Sequence, residues 1–255
     1  MKQDERVPFD QALERARRSA YAPGEFVGQE SFMRAGEILE LAAKAGIGPG
    51  VSVLDLCCGV AGPGRFITSE LGCNYLGLDA SGSAVELARG RAGDLPCRFE
   101  VARVPPVPAG PFDVVLLLET LLAFPDKQPL LRGIASALIG GGRFACTVEE
   151  GAPLTAAERA AMPDAETVWL IPLPDLLSSL EQVGLRPSWV QECSASHQAM
   201  VDALIGAFVA ERSAITAVIG RRGLDELLAA HQLWSDWLRD GRVRKFAIVA
   251  EMTEE

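Results

Sequence analysis

The 255-residue sequence contains only two histidines, His197 and His231, and its six cysteines show no CxxC spacing. Zinc sites are usually built from closely spaced cysteines and histidines, so we expect no metal site. The cysteines lie mostly in apolar, strand-like runs, which is typical of reduced core residues in a cytoplasmic protein.

Positive charge and long apolar runs are also scarce. The chain has 24 Lys and Arg against 34 Asp and Glu, a formal net charge of −10. Nucleic acids and anionic membranes bind clustered positive charge, so neither is expected as a partner. No apolar run approaches the roughly 20 residues that span a bilayer, and the first residues lack the apolar stretch of a signal peptide. We expect a cytoplasmic monomer or homodimer.

Apolar residues, by contrast, make up 49% of the chain. They form short runs that alternate with helix-like segments, and this alternation predicts a Rossmann-like α/β fold with a mostly parallel sheet. The predicted strands are 51–56, 75–78, 99–104, 112–118, 142–148, 185–192 and 244–251. The predicted helices include 9–19, 29–45, 83–90, 129–138 and 174–183, and two more within 194–240 that separate near 220–223.

The strongest functional signal is VLDLCCGVAGPG, residues 53–64, which follows the first strand directly. Ligands of open parallel sheets bind beyond the carboxyl ends of the strands. Gly59 lets the backbone approach a ligand closely, because it has no Cβ. Asp79 ends the second strand, where an acidic side chain can accept hydrogen bonds from the ribose hydroxyls of a nucleotide-like cofactor.

The same loop helps to choose between cofactors. The dinucleotide fingerprint G-x-G-x-x-G is incomplete, because Ala61 stands where its second glycine is required. Asp55 precedes the loop, and a carboxylate there suits the ammonium of a methionine moiety better than a pyrophosphate. An NAD(P)-binding oxidoreductase remains an alternative.

Residues 53–64 resemble motif I, V-L-D-x-G-x-G-x-G, of the class I S-adenosylmethionine-dependent methyltransferases. The similarity is to the small-molecule branch with glycine/sarcosine-type enzymes, and PFDVV (111–115) and LIGGGRF (138–144) extend it. The resemblance implies seven strands, with an antiparallel seventh strand inserted between the fifth and the sixth. It also implies S-adenosylmethionine as the cofactor and a small molecule as the methyl acceptor.

Matching positions imply the cofactor contacts. Asp55 and the following loop would surround the methionine moiety, Asp79 the ribose and Ala80 the adenine, while an N-terminal segment folds over the cofactor. The full predicted set is Tyr21, Gln29, Asp55, Cys57, Cys58, Gly59, Asp79, Ala80, Arg103, Val104 and Leu118.

The sequence departs from the family pattern at several of these positions. Cys57 and Ala61 replace glycines of motif I, and because both are small we expect the turn to survive if neither position needs a positive φ. Arg103 stands after the third strand, where relatives usually have an acidic residue that meets the adenine amino group. A backbone carbonyl could replace that acceptor.

These features predict in-line methyl transfer, with Glu119, His197 and His231 as candidate bases if the nucleophile arrives protonated. The predicted organisation is an N-terminal helical lid (1–50), a cofactor-binding core (51–193), a helical cap (194–242) and a final strand and tail (243–255). A non-methylating enzyme that uses the same cofactor, for example in a cyclisation, is the other alternative.

Overall fold

The computed structural model describes residues 11–163 and 165–253. Seven strands form one sheet, and these are β1 (Ser52–Leu56), β2 (Asn74–Asp79), β3 (Cys97–Val101), β4 (Phe112–Leu117), β5 (Leu138–Glu150), β6 (Leu185–Glu192) and β7 (Arg244–Met252). The α-helices of the described residues are α1 (Gln11–Ala20), α2 (Ala35–Lys44), α3 (Gly62–Leu71), α4 (Gly82–Ala92), α5 (Gln128–Ala137), α6 (Ala156–Ala161), α7 (Leu173–Glu181), α8 (Ser194–Ala210) and α9 (Arg212–Arg239).

The strand order is β3-β2-β1-β4-β5-β7-β6. Strands β1 to β5 pair in parallel, whereas β7 is antiparallel to both β5 and β6. The predicted fold and the inserted seventh strand are therefore confirmed. Because β1 is central and its neighbours run parallel to it, the carboxyl ends of β1, β2 and β4 lie side by side.

Helices cover both faces of the sheet, so β1 is buried on both sides. Side chains of a strand alternate between the faces, and accordingly Val53 belongs to one apolar cluster and Leu54 and Leu56 to the other. Asp55 lies on the same face as Val53. Alternation therefore places a carboxyl group in an otherwise apolar layer, and it is only 3% exposed.

The N-terminal segment differs from the prediction. Helix α2 begins at Ala35 rather than at Gln29, and residues 29–34 form a loop. The side chain of Gln29 hydrogen-bonds backbone groups of this loop, which competes with helix formation. Of the predicted first helix, α1 covers the part from Gln11 onward, and residues 9–10 lie outside the described residues.

The helical insertion has two breaks. At Gly220, where φ is 73° and ψ is 167°, the segment Arg212–Arg239 is kinked between two helices, so the predicted separation near 220–223 is confirmed. The second break, a bend of 95° between α8 and α9 at Glu211, was not predicted from the sequence. Among the described residues, no single helix is long and apolar enough to cross a membrane, although the bent pair α8 and α9 together meets that length and composition.

Candidate cofactor site

A cavity of about 430 Å³ lies at the carboxyl ends of β1, β2 and β4. Its wall combines the loop after β1, the residues after β2, β3 and β4, and part of the N-terminal segment. The lining residues are Gly28, Gln29, Glu30, Ser31, Asp55, Cys57, Cys58, Gly59, Val60, Ala61, Gly62, Pro63, Asp79, Ala80, Arg103, Val104, Leu118, Glu119, Thr120, Ala123 and Phe124.

Nearly all the predicted site residues line this one cavity. The exceptions are Tyr21, His197 and His231, which the structure places outside its wall. At one end of the cavity lie two exposed residues, Ala80 after β2 and Arg103 after β3. Glu119 lies beyond β4, on the other side of β1, so the cavity extends across the tips of four neighbouring strands.

Asp79 links the loop after β1 to the residues that follow β2. One carboxylate oxygen accepts a hydrogen bond from the Gly59 N–H at 2.9 Å, and the other accepts one from the Ser81 N–H at 2.8 Å. Ser81 in turn caps helix α4, because its hydroxyl accepts from the Ala84 N–H. An ionised carboxylate has about four acceptor positions, so Asp79 keeps capacity for ribose hydroxyls while it holds the glycine loop in place.

Asp55 forms a second buried carboxyl group in the cavity wall. The Tyr75 hydroxyl donates a hydrogen bond to it. Burial raises the pKa of Asp55, the Tyr75 hydrogen bond lowers it, and the nearby charge of Asp79 raises it, so that the pKa is about 7. Gly64 makes this contact possible, because a Cβ there would lie 2.1 Å from the Tyr75 hydroxyl oxygen.

The loop itself is more strained than the sequence suggests. Cys57 and Ala61 have φ angles of 60° and 55°, as does Gly59 at 55°, so all three residues are left-handed. The condition stated from the sequence, that neither Cys57 nor Ala61 needs a positive φ, is therefore not met, and the turn forms nevertheless. Left-handed non-glycine residues cost about 1–2 kcal/mol each, and local contacts offset this at Ala61, whose N–H bonds the Cys58 carbonyl at 2.9 Å.

The N-terminal segment closes one side of the cavity. A Cβ at Gly62 would lie 2.4 Å from the backbone of Gly28, so the two glycines let the segment pack directly on the start of α3. Gln29 is 2% exposed and organises this segment. It donates to the carbonyls of Glu25 and Met33 at 2.9 and 2.8 Å and accepts from the Val27 N–H at 2.7 Å.

Tyr21 lies outside the cavity wall but contacts the same N-terminal segment. Its hydroxyl donates to the Ser31 carbonyl at 2.6 Å, and its ring packs against Phe26. Burial raises the pKa of Tyr21 well above its usual value. Tyr21 therefore acts on the cavity through Ser31, which is one of the lining residues.

Glu119 belongs to a buried group of charges behind the cavity. Its carboxylate lies 2.7 Å from the ammonium of Lys245, which also contacts Glu149. Burial alone would raise the pKa of Glu119, but Lys245 and His197 outweigh it and hold this pKa below its usual value. Glu119 is therefore a carboxylate that stays ionised and a weak base.

The two histidines lie among the helices of the insertion. The Nδ1–H of His231 donates to the Leu227 carbonyl at 2.8 Å, and burial lowers the pKa of His231 to about 4. His197 is 1% exposed, with its Nε2 atom 3.7 Å from a Glu37 oxygen. Burial lowers the pKa of His197 as well. Neither histidine reaches the cavity, and their predicted catalytic role stays a prediction.

Residues 54–146, the segment that holds this loop and both acidic residues, match the family model of a methyltransferase domain. This segment of the chain is therefore similar to methyltransferase domains. The resemblance to the class I methyltransferases is thus confirmed, both by this match and by the fold of the described residues.

Curated relatives match this chain over part of its length. Phosphoethanolamine N-methyltransferase 1 of Arabidopsis thaliana is 32% identical over 108 residues, which are 41% of this chain and 22% of that protein. The 27-O-demethylrifamycin SV methyltransferase of Amycolatopsis mediterranei is 32% identical over 165 residues, 60% of this chain and 61% of that protein. The matches thus span less than two thirds of either relative.

Solved structures share the fold over nearly the whole chain. The cyclopropane synthase MmaA2 of Mycobacterium tuberculosis superposes with a TM-score of 0.80 at 14% identity, covering 97% of this chain and 100% of that one. The [4+2]-cyclase SpnF superposes with a TM-score of 0.76 at 17% identity, covering 96% and 93%. At such identities the similarity concerns the fold alone.

Two polar residues next to the cavity were missed from the sequence. Tyr75 and Lys245 both lie in apolar strands and are both 2% exposed. A buried tyrosine hydroxyl usually has a hydrogen-bond partner, and a buried lysine is almost always paired. Their positions therefore signal buried carboxyl groups, but the sequence does not say which ones.

Proposed function

We propose that this chain is an S-adenosylmethionine-dependent methyltransferase that acts on a small molecule. The observation that carries the proposal is the joint position of Asp55, Gly59 and Asp79. They line one cavity, at the carboxyl end of the sheet and within the methyltransferase domain. The names of the curated relatives, which methylate small molecules, support the same conclusion.

The side chains present suit this cofactor. Asp79 keeps free acceptor positions beside the exposed Ala80, as a ribose next to an adenine requires. Asp55 offers a carboxyl group near the glycine loop for the ammonium of the methionine moiety. When bound, the cofactor supplies a methyl group on a positively charged sulfur, which is electrophilic without further activation.

The rest of the chain positions the acceptor and keeps water out. In our proposal, residues 11–50 form a lid and 194–242 a cap over the core. Helix α1 supports this, because its Ala12 and Ala16 share an apolar cluster with Met200 and Leu204 of α8. A closed chamber of this kind holds a nucleophile in line with the methyl group, and its size suits a small acceptor.

Calorimetry with S-adenosylhomocysteine tests the proposal. Wild-type protein should bind this product and should not bind NAD. Asp79→Asn should bind it about 5- to 150-fold more weakly, through the loss of about 1–3 kcal/mol of charge-assisted hydrogen bonding. Release of S-adenosylhomocysteine from labelled cofactor in the presence of small amine and hydroxyl acceptors then checks the reaction itself.

Asp113→Asn is the matched control. Asp113 also accepts a backbone hydrogen bond, from the Ser52 N–H at 2.8 Å, but at the opposite end of the same strands. This variant should lose some stability while it keeps wild-type affinity. Absence of binding by the wild type, or equal affinity of Asp79→Asn and wild type, would rule out the proposed site.

A further inference from the structure

Glu119 has an unusual backbone for a glutamate. Its φ is 59°, in the left-handed region, and its N–H donates to the Thr147 hydroxyl at 2.6 Å. Left-handed backbone at a non-glycine residue persists where the surroundings fix it, and such residues concentrate at functional sites. The turn after β4 is thus held in a costly conformation, in which the Glu119 carboxylate lines the cavity.

Lys245 holds the Glu119 carboxylate from behind. It is 2% exposed and lies on β7, and its ammonium is 2.7 Å from Glu119 and in contact with Glu149. Burial would lower the pKa of Lys245, but the two carboxylates outweigh burial and raise it. The lysine therefore stays cationic and keeps Glu119 ionised.

The strand order shows which end of the cavity Glu119 occupies. The proposed ribose site at Asp79 lies beyond β2, and the residues after β3 lie further in the same direction. Glu119 lies on the opposite side of β1, beyond β4. A cofactor whose ribose bound Asp79 and whose adenine lay toward β3 would direct its sulfur toward β1 and β4, and Glu119 would then lie near the methyl group.

We propose that Glu119 forms an anionic subsite for the methyl acceptor and selects an amine nitrogen for methylation. Lys245 is the positioning residue that holds Glu119 in place. This inference rests on the proposed function. The nitrogen lone pair forms the new C–N bond, the C–S bond breaks, and its electron pair stays on sulfur. Positive charge thereby moves from sulfur to nitrogen, and the extra proton leaves to water afterwards. An ionised carboxylate beside that nitrogen stabilises the developing charge.

A hydroxyl acceptor fits this subsite less well. Its oxygen has to lose a proton as the C–O bond forms, which requires a base close to the methyl group. Of the three predicted bases, only Glu119 lines the cavity, and its ion pair with Lys245 disfavours proton uptake. The amine needs no proton acceptor in the bond-forming step.

Sinefungin probes the subsite without knowledge of the acceptor. In this analogue a carbon with a primary amine replaces the sulfur and its methyl group, so a cation occupies the methyl position. By calorimetry at pH 7.5, wild-type protein should bind sinefungin about tenfold more tightly than S-adenosylhomocysteine. Glu119→Gln should bring this ratio to about one. Glu86→Gln, an exposed carboxylate on α4 outside the cavity wall, is the control and should keep it.

A ratio near one in the wild type, or the same ratio in Glu119→Gln and wild type, would overturn the inference. Binding of S-adenosylhomocysteine by the wild type, in contrast, tests the proposed function, so the two failures are distinguishable. In both proteins the affinity for S-adenosylhomocysteine serves as the internal reference.

The role of Lys245 is tested through pH. In the double variant Lys245→Met/Glu149→Gln, Glu119 is left buried without its cation, and its pKa should rise. The sinefungin preference should then be small at pH 6 and increase toward pH 8.5, because only the ionised carboxylate attracts the amine. The wild-type ratio should stay constant over this range. A double variant with the wild-type profile would show that Lys245 does not act on Glu119.

Discussion

Asp55 is a buried carboxyl group, and its raised pKa makes the stability of the unliganded protein depend on pH. The pKa rises from 3.8 to about 7 through burial. Between these values the native state holds a proton that the unfolded state has released. The free energy of unfolding of the wild type should therefore fall as the pH rises through this window, and level off above pH 7. Asp55→Asn removes this dependence.

The size of the effect follows from the two pKa values. One pKa unit corresponds to about 1.4 kcal/mol, so ionised Asp55 costs the native state about 4 kcal/mol at a pH well above 7. Part of this cost is already present at pH 5. Between pH 5 and pH 8, the stability of Asp55→Asn relative to wild type should consequently increase by about 2–3 kcal/mol.

Urea unfolding followed by circular dichroism, at pH 5, 6, 7 and 8 and without cofactor, measures this difference. Asp225→Asn, at an exposed position on α9, is the control, and its difference from wild type should stay within about 0.5 kcal/mol. A difference between Asp55→Asn and wild type that is the same at every pH would refute the reasoning. It would mean that Asp55 titrates alike in the native and unfolded states.

Two further predictions concern the packing around the cavity. Gly64→Ala should lower the free energy of unfolding by about 1–3 kcal/mol, because the new methyl group displaces the Tyr75 ring. Gly90→Ala, where a Cβ meets no atom within 4 Å, should instead stabilise α4 by about 0.5–1 kcal/mol in the same urea titration. Gln29→Ala should cost about 1–3 kcal/mol and weaken S-adenosylhomocysteine binding, because buried backbone groups lose their partners. Exposed Gln232→Ala should change neither quantity, and an unaltered affinity of Gln29→Ala would separate the N-terminal segment from the cofactor site.

The parts of the site that were predictable have local signals. The loop at 53–64, with Asp79 after the next strand, is encoded in contiguous residues and in one spacing, so a single sequence reveals it. The alternation of strands and helices is local in the same way, and it led to the correct sheet order through the family resemblance. Helix α4 and its Ser81 cap were likewise readable from neighbouring residues.

The errors arose where hydrogen bonds and backbone conformation within a few residues override the apolar pattern. Apolar periodicity suggested a helix from Gln29, but the buried amide of Gln29 bonds three backbone groups and keeps the segment irregular. Glycines at 220 and 223 correctly indicated a break near Gly220, but the 95° bend at Glu211 has no such local signal. At Ala61, the turn was expected to form if this position needs no positive φ, but the residue is left-handed.

By itself, the sequence determined that a glycine loop and an acidic residue end two adjacent strands of an α/β domain, because hydrophobic period and turn chemistry act over a few residues. Only the tertiary structure decided which charges meet. Tyr75 reaches Asp55 past Gly64, and Lys245 reaches Glu119 from the far end of the chain. Those pairs depend on strand order and on burial, since a charge inside a protein takes whichever partner the fold brings to it.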